Sequence, residues 1–210
     1  MTAKTAQLAS LVDRAAAALG ASVAATSRAG VLAWLERLQE WNARIDLTAA
    51  RSPEELVDLM LADALVLSGH VPAASRVVDV GTGAGAPGLA LALLRPDLKV
   101  TLVEPLGKRA AFLRTALGAA SRADVSIERA RAESLAGRRA WDVAVSRATL
   151  APAEWLELAV TLAAPGGSVW VLLARDEAPS NPRARAEQDL AYTWPLTGAA
   201  RRAVRYLILS

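Results

Sequence analysis

The sequence predicts an α/β fold in which a mostly parallel, seven-stranded sheet carries helices on both faces and follows an N-terminal helical extension. Apolar residues between about residues 5 and 67 recur at helical spacing. From Arg76 onward, short β-branched runs alternate with helical segments, which is the pattern of a parallel sheet with right-handed crossovers. A glycine-rich loop at residues 81–88 joins the first of these strands to a helix.

Three helices are expected in the N-terminal part. The first covers about residues 5–20, the second carries Trp34 and Trp41 on one stripe, and the third begins near Pro53 and continues through Leu67. We expect both tryptophans to pack in the core. The chain is accordingly divided into an N-terminal helical extension, residues 1–70, packed on a second domain, residues 71–210.

The second domain is expected to alternate strands and helices. The predicted strands are 77–80, 99–104, 125–129, 141–146 and 167–173, and the predicted helices are 87–94, 107–118 and 154–162. A polar segment, 176–189, is expected to be a loop. Two further segments, 191–195 and 203–209, predict antiparallel strands that complete a sheet of seven.

The glycine loop is the candidate ligand site, because Gly81, Gly83 and Gly85 allow the backbone to approach a ligand closely. The stretch from Gly83 to Gly88 also fits the dinucleotide pattern G-x-G-x-x-G, and Glu104 lies about where a ribose-binding acid is expected. A nicotinamide cofactor is therefore one alternative. Asp79, two residues before the first glycine, favours another, since Asp-x-Gly-x-Gly-x-Gly resembles the signature of class I S-adenosylmethionine (SAM) methyltransferases.

Composition narrows the chemistry. The 210-residue chain is 53% hydrophobic, has a net charge of +3, and contains no cysteine and one histidine, His70, for which we expect a solvated loop. A disulfide framework, a thiolate metal site and a cysteine nucleophile are thereby excluded, and we expect no metal. Nearly all the basic residues are arginines, which suits contacts to phosphates and bases, but the preference of a GC-rich genome for alanine and arginine is the better explanation of most of them. No stretch predicts a membrane span or a signal peptide, so we expect a cytoplasmic protein.

Several further motifs follow one another along the chain. They are Trp41-Asn42 with Asp46-Leu-Thr-Ala, Gly107-Lys-Arg-Ala-Ala-Phe-Leu113, Arg131-Ala-Glu133, Ser146-Arg-Ala148 and Arg205-Tyr-Leu-Ile-Leu209. Together with the glycine loop, and over nearly the full length, they resemble the bacterial 16S ribosomal RNA guanine-N7 methyltransferase family, also known as glucose-inhibited division protein B. The resemblance implies a SAM-dependent enzyme that methylates a guanine of the 530 loop, acting on 16S ribosomal RNA or on the small ribosomal subunit. We also expect a monomer.

The resemblance also implies roles for individual residues. Glu104 would bind the ribose, Ala132 and Glu133 would border the adenine, and Arg147 would face the methyl donor or the target base as the candidate catalytic residue, with a plain salt bridge as its alternative. Lys108 and Arg109 would contact RNA phosphates, with a solvated helix terminus as their alternative. The implied cofactor-binding set is Asp79, Gly81, Thr82, Gly83, Gly85, Ala86, Glu104, Ala132, Glu133 and Arg147.

Three departures from the family pattern are visible. Met60 and Ala64 flank Asp63 where the family usually has a histidine and a serine, Asp46 stands where asparagine is common, and Ala174-Arg175 replaces Lys-Gly. These positions lie on elements expected to bound the acceptor pocket. A non-catalytic or altered-substrate homologue that binds SAM or RNA is therefore the second hypothesis, and an NAD-dependent oxidoreductase is the third.

Overall fold

The computed structural model of the protein describes residues 2–209, which form a single seven-stranded sheet with helices on both faces. The helices are α1 (Ala3–Ala18), α2 (Ala25–Asn42), α3 (Pro53–Val57), α4 (Asp63–Ser68), α5 (Gly88–Leu94), α6 (Gly107–Ala119) and α7 (Pro152–Leu162), with a π-helical segment (Asp58–Ala62) between α3 and α4 and a 3-10 helix (Ala132–Leu135) after the third strand. The strands are β1 (Arg76–Val80), β2 (Lys99–Val103), β3 (Ser126–Glu128), β4 (Trp141–Ser146), β5 (Ala163–Leu173), β6 (Ala184–Thr193) and β7 (Ala200–Ile208).

The strand order is β3-β2-β1-β4-β5-β7-β6. Strands β1 to β5 pair in parallel, β7 runs antiparallel to β5, and β6 runs antiparallel to β7. The predicted mostly parallel sheet of seven strands is confirmed. The order also reverses direction at β1 and β4, and ligands of open parallel sheets bind beyond the carboxyl ends of the strands at such a point.

Successive residues of β1 serve opposite faces of the sheet. Val77 packs with the N-terminal helices, α5 and α6, whereas Val78 packs in a second cluster with Trp155 and Leu156 of α7. All four side chains are buried, as expected where a parallel strand is covered on both faces. Alternation of side chains therefore divides the core into two layers.

The N-terminal helices share the first of these layers with the sheet. Leu8, Trp34 and Leu35 are buried in the same cluster as Val77 and Leu91. Trp34 is fully buried, which confirms its expected packing, and Trp41 lies edge-on to the ring of Phe112 at 5.8 Å between centroids. The division of the chain at residue 70 stays a prediction.

Three local expectations differ from the structure. The sequence predicts a loop over 176–189, but β6 already begins at Ala184, because pairing with β7 supplies backbone partners to a strand whose side chains are mostly exposed. Strand β5 begins at Ala163, before the Pro165-Gly-Gly turn signal. His70 is half-buried and packs edge-on against Trp170, so it is not a freely solvated loop residue.

Candidate active site

A cavity of about 580 Å³ lies beyond the carboxyl ends of β1, β2 and β4. We call it the cofactor cavity. Its volume falls in the range of about 300–1,000 Å³ that is typical of small-molecule sites. The residues that line it are Leu47, Thr48, Ala49, Leu59, Met60, Gly81, Thr82, Gly83, Ala84, Ala86, Glu104, Pro105, Leu106, Arg109, Arg147, Ala148 and Thr149.

The three loop glycines differ in what a side chain at their position would contact. A Cβ on Gly83, whose φ is +59°, would meet nothing closer than a backbone oxygen at 3.9 Å, so this residue faces open space. A Cβ on Gly81 would collide with Thr149, and one on Gly85 would lie 2.8 Å from Leu89. The expected close approach to a ligand therefore fits Gly83, which lines the cavity. Gly85 is not among the residues that line the cavity, and Leu89 of helix α5 packs against it; its cofactor role stays a prediction.

Glu104 follows β2 and is 2% exposed. Its Oε2 accepts a hydrogen bond from the Gly83 N–H (3.0 Å) and its Oε1 accepts one from the Leu106 N–H (2.9 Å). These two amides orient the carboxylate while each oxygen keeps a further lone pair. A buried, oriented acceptor at the edge of this cavity is suited to the two hydroxyls of a ribose.

Asp79 lies beneath the loop and is fully buried. Its Oδ2 accepts a hydrogen bond from the Gly88 N–H at 2.7 Å, which fixes the start of α5 against β1. Burial raises the pKa of Asp79 to about 6. Among residues 2–209, its Oδ1 and the hydroxyl of the buried Thr82 have no hydrogen-bond partner. The Thr82 hydroxyl is nevertheless close enough to Asp79 to oppose the rise of its pKa. Buried groups without a full hydrogen bond are unusual in a protein core, and Thr82, which lines the cofactor cavity, fits a polar ligand held by the loop.

Two side chains from the N-terminal helices hold the walls of the cofactor cavity. The indole Nε1 of Trp34 donates to the carbonyl oxygen of Ala84 at 3.0 Å, which anchors the glycine loop from α2. The side-chain oxygen of Asn42 accepts from the N–H groups of Leu47 (2.8 Å) and Thr48 (3.0 Å). The Trp41-Asn42 motif thus shapes the segment that closes one side of the cavity, a role the sequence pattern did not reveal.

Arg147 follows β4 and also lines the cofactor cavity. Its Nη1 donates to the Leu59 carbonyl oxygen and lies 3.1 Å from Asp63 Oδ2. Asp63 is 2% exposed, and its Oδ1 accepts from the Tyr192 hydroxyl (2.8 Å) and the Trp194 Nε1 (2.9 Å). Burial, together with the negative charge of Asp63, raises the pKa of Tyr192, so its hydroxyl stays a donor. The buried carboxylate of Asp63 therefore connects Arg147, at the end of β4, with Tyr192 of β6.

A second cavity, of about 260 Å³, adjoins the first on the side of β5 and β7. We call it the aromatic cavity. It shares Leu59, Arg147 and Ala148 with the cofactor cavity. Its remaining lining residues are Asp63, Ser146, Leu150, Pro152, Trp155, Val171, Leu172, Leu173, Ala174, Asp176, Tyr192, Trp194 and Arg201.

The structure brings most of the expected site residues together. Six of the expected cofactor-binding residues line the cofactor cavity, namely Gly81, Thr82, Gly83, Ala86, Glu104 and Arg147. Asp79 lies below the loop, and Ala132 and Glu133 lie on the 3-10 helix outside the lining of this cavity. All of these cofactor roles stay predictions.

The two expected RNA-contacting residues begin α6 at the mouth of the cofactor cavity. Arg109 lines that cavity, and Lys108 is exposed beside it in a shallow depression that also contains Arg44, Ile45 and Asp46. Of the family departures, Met60 lines the cofactor cavity, Ala174 lines the aromatic cavity, and Ala64 is fully buried. No sequence signal marks Tyr192 or Trp194, because the residues they meet are distant in the chain.

In the part of the chain that the structure describes, no group of three or more histidine or acidic residues is arranged to hold a metal ion. No helix of residues 2–209 is long and apolar enough to cross a membrane.

The sheet order and the loop-lined cavity at its switch point are those of the class I SAM-dependent methyltransferase fold, and solved structures share this fold. TrmN from Thermus thermophilus matches with a TM-score of 0.54 and 23% identity over 73% of this chain and 48% of that one. TYW2 from P. horikoshii, solved with MeSAdo, matches with a TM-score of 0.57 and 16% identity over 80% and 66% of the two chains.

Sequence comparison makes the assignment specific. The chain belongs to the rRNA small subunit methyltransferase G family, whose model matches residues 28–191. It is 36% identical over 195 residues to the ribosomal RNA small subunit methyltransferase G of Myxococcus xanthus, covering 88% of this chain and 90% of the relative. The protein of the same name from Chromohalobacter salexigens is 40% identical over 167 residues, covering 80% and 79% of the two chains. Membership in this family decides against the nicotinamide alternative.

Proposed function

We propose that this protein transfers a methyl group from SAM to N7 of a guanine in 16S ribosomal RNA, with a guanine of the 530 loop as the target. The observation that carries the proposal is the joining of two cavities at Arg147, one suited to a nucleoside cofactor and one bounded by aromatic side chains. The names of the relatives, which are small-subunit ribosomal RNA methyltransferases, support the substrate class.

The cofactor cavity supplies groups that suit each part of SAM. Glu104 is placed to accept hydrogen bonds from ribose hydroxyls, and the open space at Gly83 suits a ligand lying against the backbone. Thr82 offers a hydroxyl that is otherwise unpartnered among residues 2–209. When bound, SAM supplies a methyl group activated by a positively charged sulfur.

The chemistry at guanine N7 fits the side chains at this site. N7 carries a lone pair in the plane of the base and no proton, so its methylation needs no general base. The described residues around Arg147 include no histidine and, in a chain without cysteine, no thiol. The task left to the protein is to align the base with the methyl donor, and positioning of this kind supplies a large part of many enzymatic rate enhancements.

The basic residues near the mouth support an RNA substrate. Lys108 and Arg109 lie at the start of α6 beside the cofactor cavity, and within residues 2–209 neither forms an ion pair. Free cations of this kind are placed to bind the RNA backbone. A base in an A-form helix presents N7 in a groove too narrow for side chains, so the target must be unpaired or turned out of the helix.

The test is transfer of labelled methyl groups from SAM to 16S ribosomal RNA, both free and in small subunits that lack the modification. N7-methylguanosine is located by borohydride and aniline cleavage followed by primer extension. A single labelled guanine in the 530 loop is the expected result. Label at another atom or in another RNA would contradict the proposal, and SAM binding without any transfer would favour the non-catalytic hypothesis.

A further inference from the structure

The aromatic cavity adjoins the cofactor cavity, and no cofactor role is assigned to it. Its lining residues include the aromatic side chains Trp155, Tyr192 and Trp194, of which Trp155 is 3% exposed and Trp194 is 8% exposed. Aromatic side chains of this kind are common neighbours of bound nucleobases. Its volume of about 260 Å³ lies just below the usual range for drug-sized ligands, which suits a single base.

The aromatic walls are held rigidly. Tyr192 and Trp194 both donate to the buried carboxylate of Asp63, and the Nε1 of Trp155 donates to the Trp170 carbonyl oxygen at 2.9 Å. The guanidinium of Arg201 lies over the ring of Trp194, 3.8 Å from its centroid. Aromatic side chains fixed in this way lose little conformational freedom when a base enters the aromatic cavity.

Four charged residues line the aromatic cavity, namely Asp63, Arg147, Asp176 and Arg201. Asp63 accepts from Tyr192 and Trp194, and Arg201 lies over the Trp194 ring. Arg147 and Ala148 form the wall that is shared with the cofactor cavity, whereas Asp176 lines the cavity just after β5. Because β5 lies beyond β4 in the strand order, away from β1 and β2, Asp176 is on the side remote from the cofactor. Asp176 is exposed, and within residues 2–209 its carboxylate forms neither an ion pair nor a side-chain hydrogen bond, so both of its oxygens are available to accept from a ligand.

We infer that the aromatic cavity takes the turned-out target base and that Asp176 selects guanine by accepting hydrogen bonds from its N1–H and N2–H2 groups. This inference rests on the proposed function. With N7 directed toward the wall at Arg147, the opposite edge of a purine points toward β5 and Asp176. Guanine presents two donors on that edge. Adenine presents an acceptor at N1, which a carboxylate repels, so one acid distinguishes the two purines.

The test uses 16S ribosomal RNA assembled by ligation with either guanosine or inosine at the modified position. Inosine keeps N7, O6 and N1–H but lacks the 2-amino group. Wild type should methylate the guanosine RNA about tenfold faster or more, the usual effect of one hydrogen bond to a charged group. Asp176→Ala removes two hydrogen bonds from guanosine but only the N1–H bond from inosine. It should therefore slow transfer to guanosine about a hundredfold and transfer to inosine about tenfold, so that the ratio of the two rates falls toward one.

Glu177→Ala is the matched control, because Glu177 is the exposed neighbour that does not line the cavity. It should keep the wild-type ratio, and SAM affinity should be equal in all three proteins. An unchanged ratio in Asp176→Ala, or equal rates for both RNAs in wild type, would overturn the inference while leaving the proposed function intact. A wild type that methylates neither RNA would overturn the proposed function and this inference with it.

A second readout does not depend on transfer. RNA with 6-thioguanosine at the same position is irradiated with the protein and S-adenosylhomocysteine, and the crosslinked peptides are sequenced. Crosslinks should fall on residues that line the aromatic cavity, such as Ala148, Leu150, Ala174, Tyr192 and Trp194. Crosslinks confined to other surfaces would place the base elsewhere and reject the assignment.

Discussion

Replacement of Asp79 by asparagine should stabilise the folded protein at neutral pH and have much less effect in acid. Asp79 is fully buried, and its only hydrogen bond within residues 2–209 is the one accepted from the Gly88 N–H. Burial raises its pKa from 3.8 to about 6. The folded protein therefore holds this proton more tightly than the unfolded chain does, and stability from this group is lost as the pH rises from about 4 to about 6.

The magnitude follows from the size of the rise. A change from 3.8 to about 6 corresponds to about 3 kcal/mol that wild type loses above the folded-state pKa. Asparagine has the same shape, keeps an acceptor for the Gly88 N–H and carries no charge. The free energy of unfolding of Asp79→Asn, relative to wild type, should therefore rise by up to about 3 kcal/mol between about pH 4 and pH 7.

Urea unfolding of both proteins, followed by circular dichroism at several pH values, measures this difference. Asp97→Asn is a control of opposite sign, because hydrogen bonds from Arg95 and from the Ala74 N–H lower the pKa of Asp97. That variant should be destabilised at pH 7 and should approach wild type as the pH falls below about 4. If the difference in the free energy of unfolding between Asp79→Asn and wild type does not change with pH, then ionisation of the buried carboxylate does not destabilise the folded protein. That result would refute the reasoning.

Three further predictions concern ligand binding. Gly83→Val should abolish SAM binding by calorimetry while thermal unfolding stays cooperative, because the side chain would enter the open space at a φ of +59°; full affinity would refute the role of the loop. Glu104→Ala should weaken SAM by about 1.5–3 kcal/mol in the same assay, and tight NAD binding by wild type would overturn the cofactor assignment. Arg147→Ala should reduce methylation of 16S ribosomal RNA more than it reduces SAM affinity, and Arg147→Lys should recover little because an ammonium cannot form a bidentate fork. Equal losses of affinity and transfer in Arg147→Ala would limit the residue to cofactor binding, and no loss of either would leave it the structural partner of Asp63.

The strand and helix pattern is readable from the sequence because the parallel strands are buried on both faces. Runs such as Val77-Val78 and Val143-Ala-Val145 have no polar alternation to obscure them, and the glycine loop signals the turn between β1 and α5. The expected cofactor position follows from these local signals. Strand β6 is harder to predict from the sequence, because its side chains are mostly exposed and its backbone is held by pairing with β7, which local sequence does not report.

The local sequence pattern also cannot show which loop glycine faces the cavity and which ones pack against other parts of the protein. Gly81, Gly83 and Gly85 share the same motif, but Thr149 and Leu89 decide which of their hydrogens face protein and which faces the cavity. The same limit applies to Asp63. Its sequence neighbours mark it only as an acid on a helix, whereas its partners Arg147, Tyr192 and Trp194 come from 84 to 131 residues away.

The sequence by itself determined the class of fold, the family and the position of the cofactor loop, because each of these depends on residues that are close together in the chain. The tertiary structure decided that a second, aromatic cavity adjoins the first and that Arg147 is part of the wall between them. Those features arise where β4, β5 and the β6–β7 pair meet across the sheet. The physical reason is that hydrophobic periodicity reports which face of an element is buried, but not which distant side chain will be buried against it.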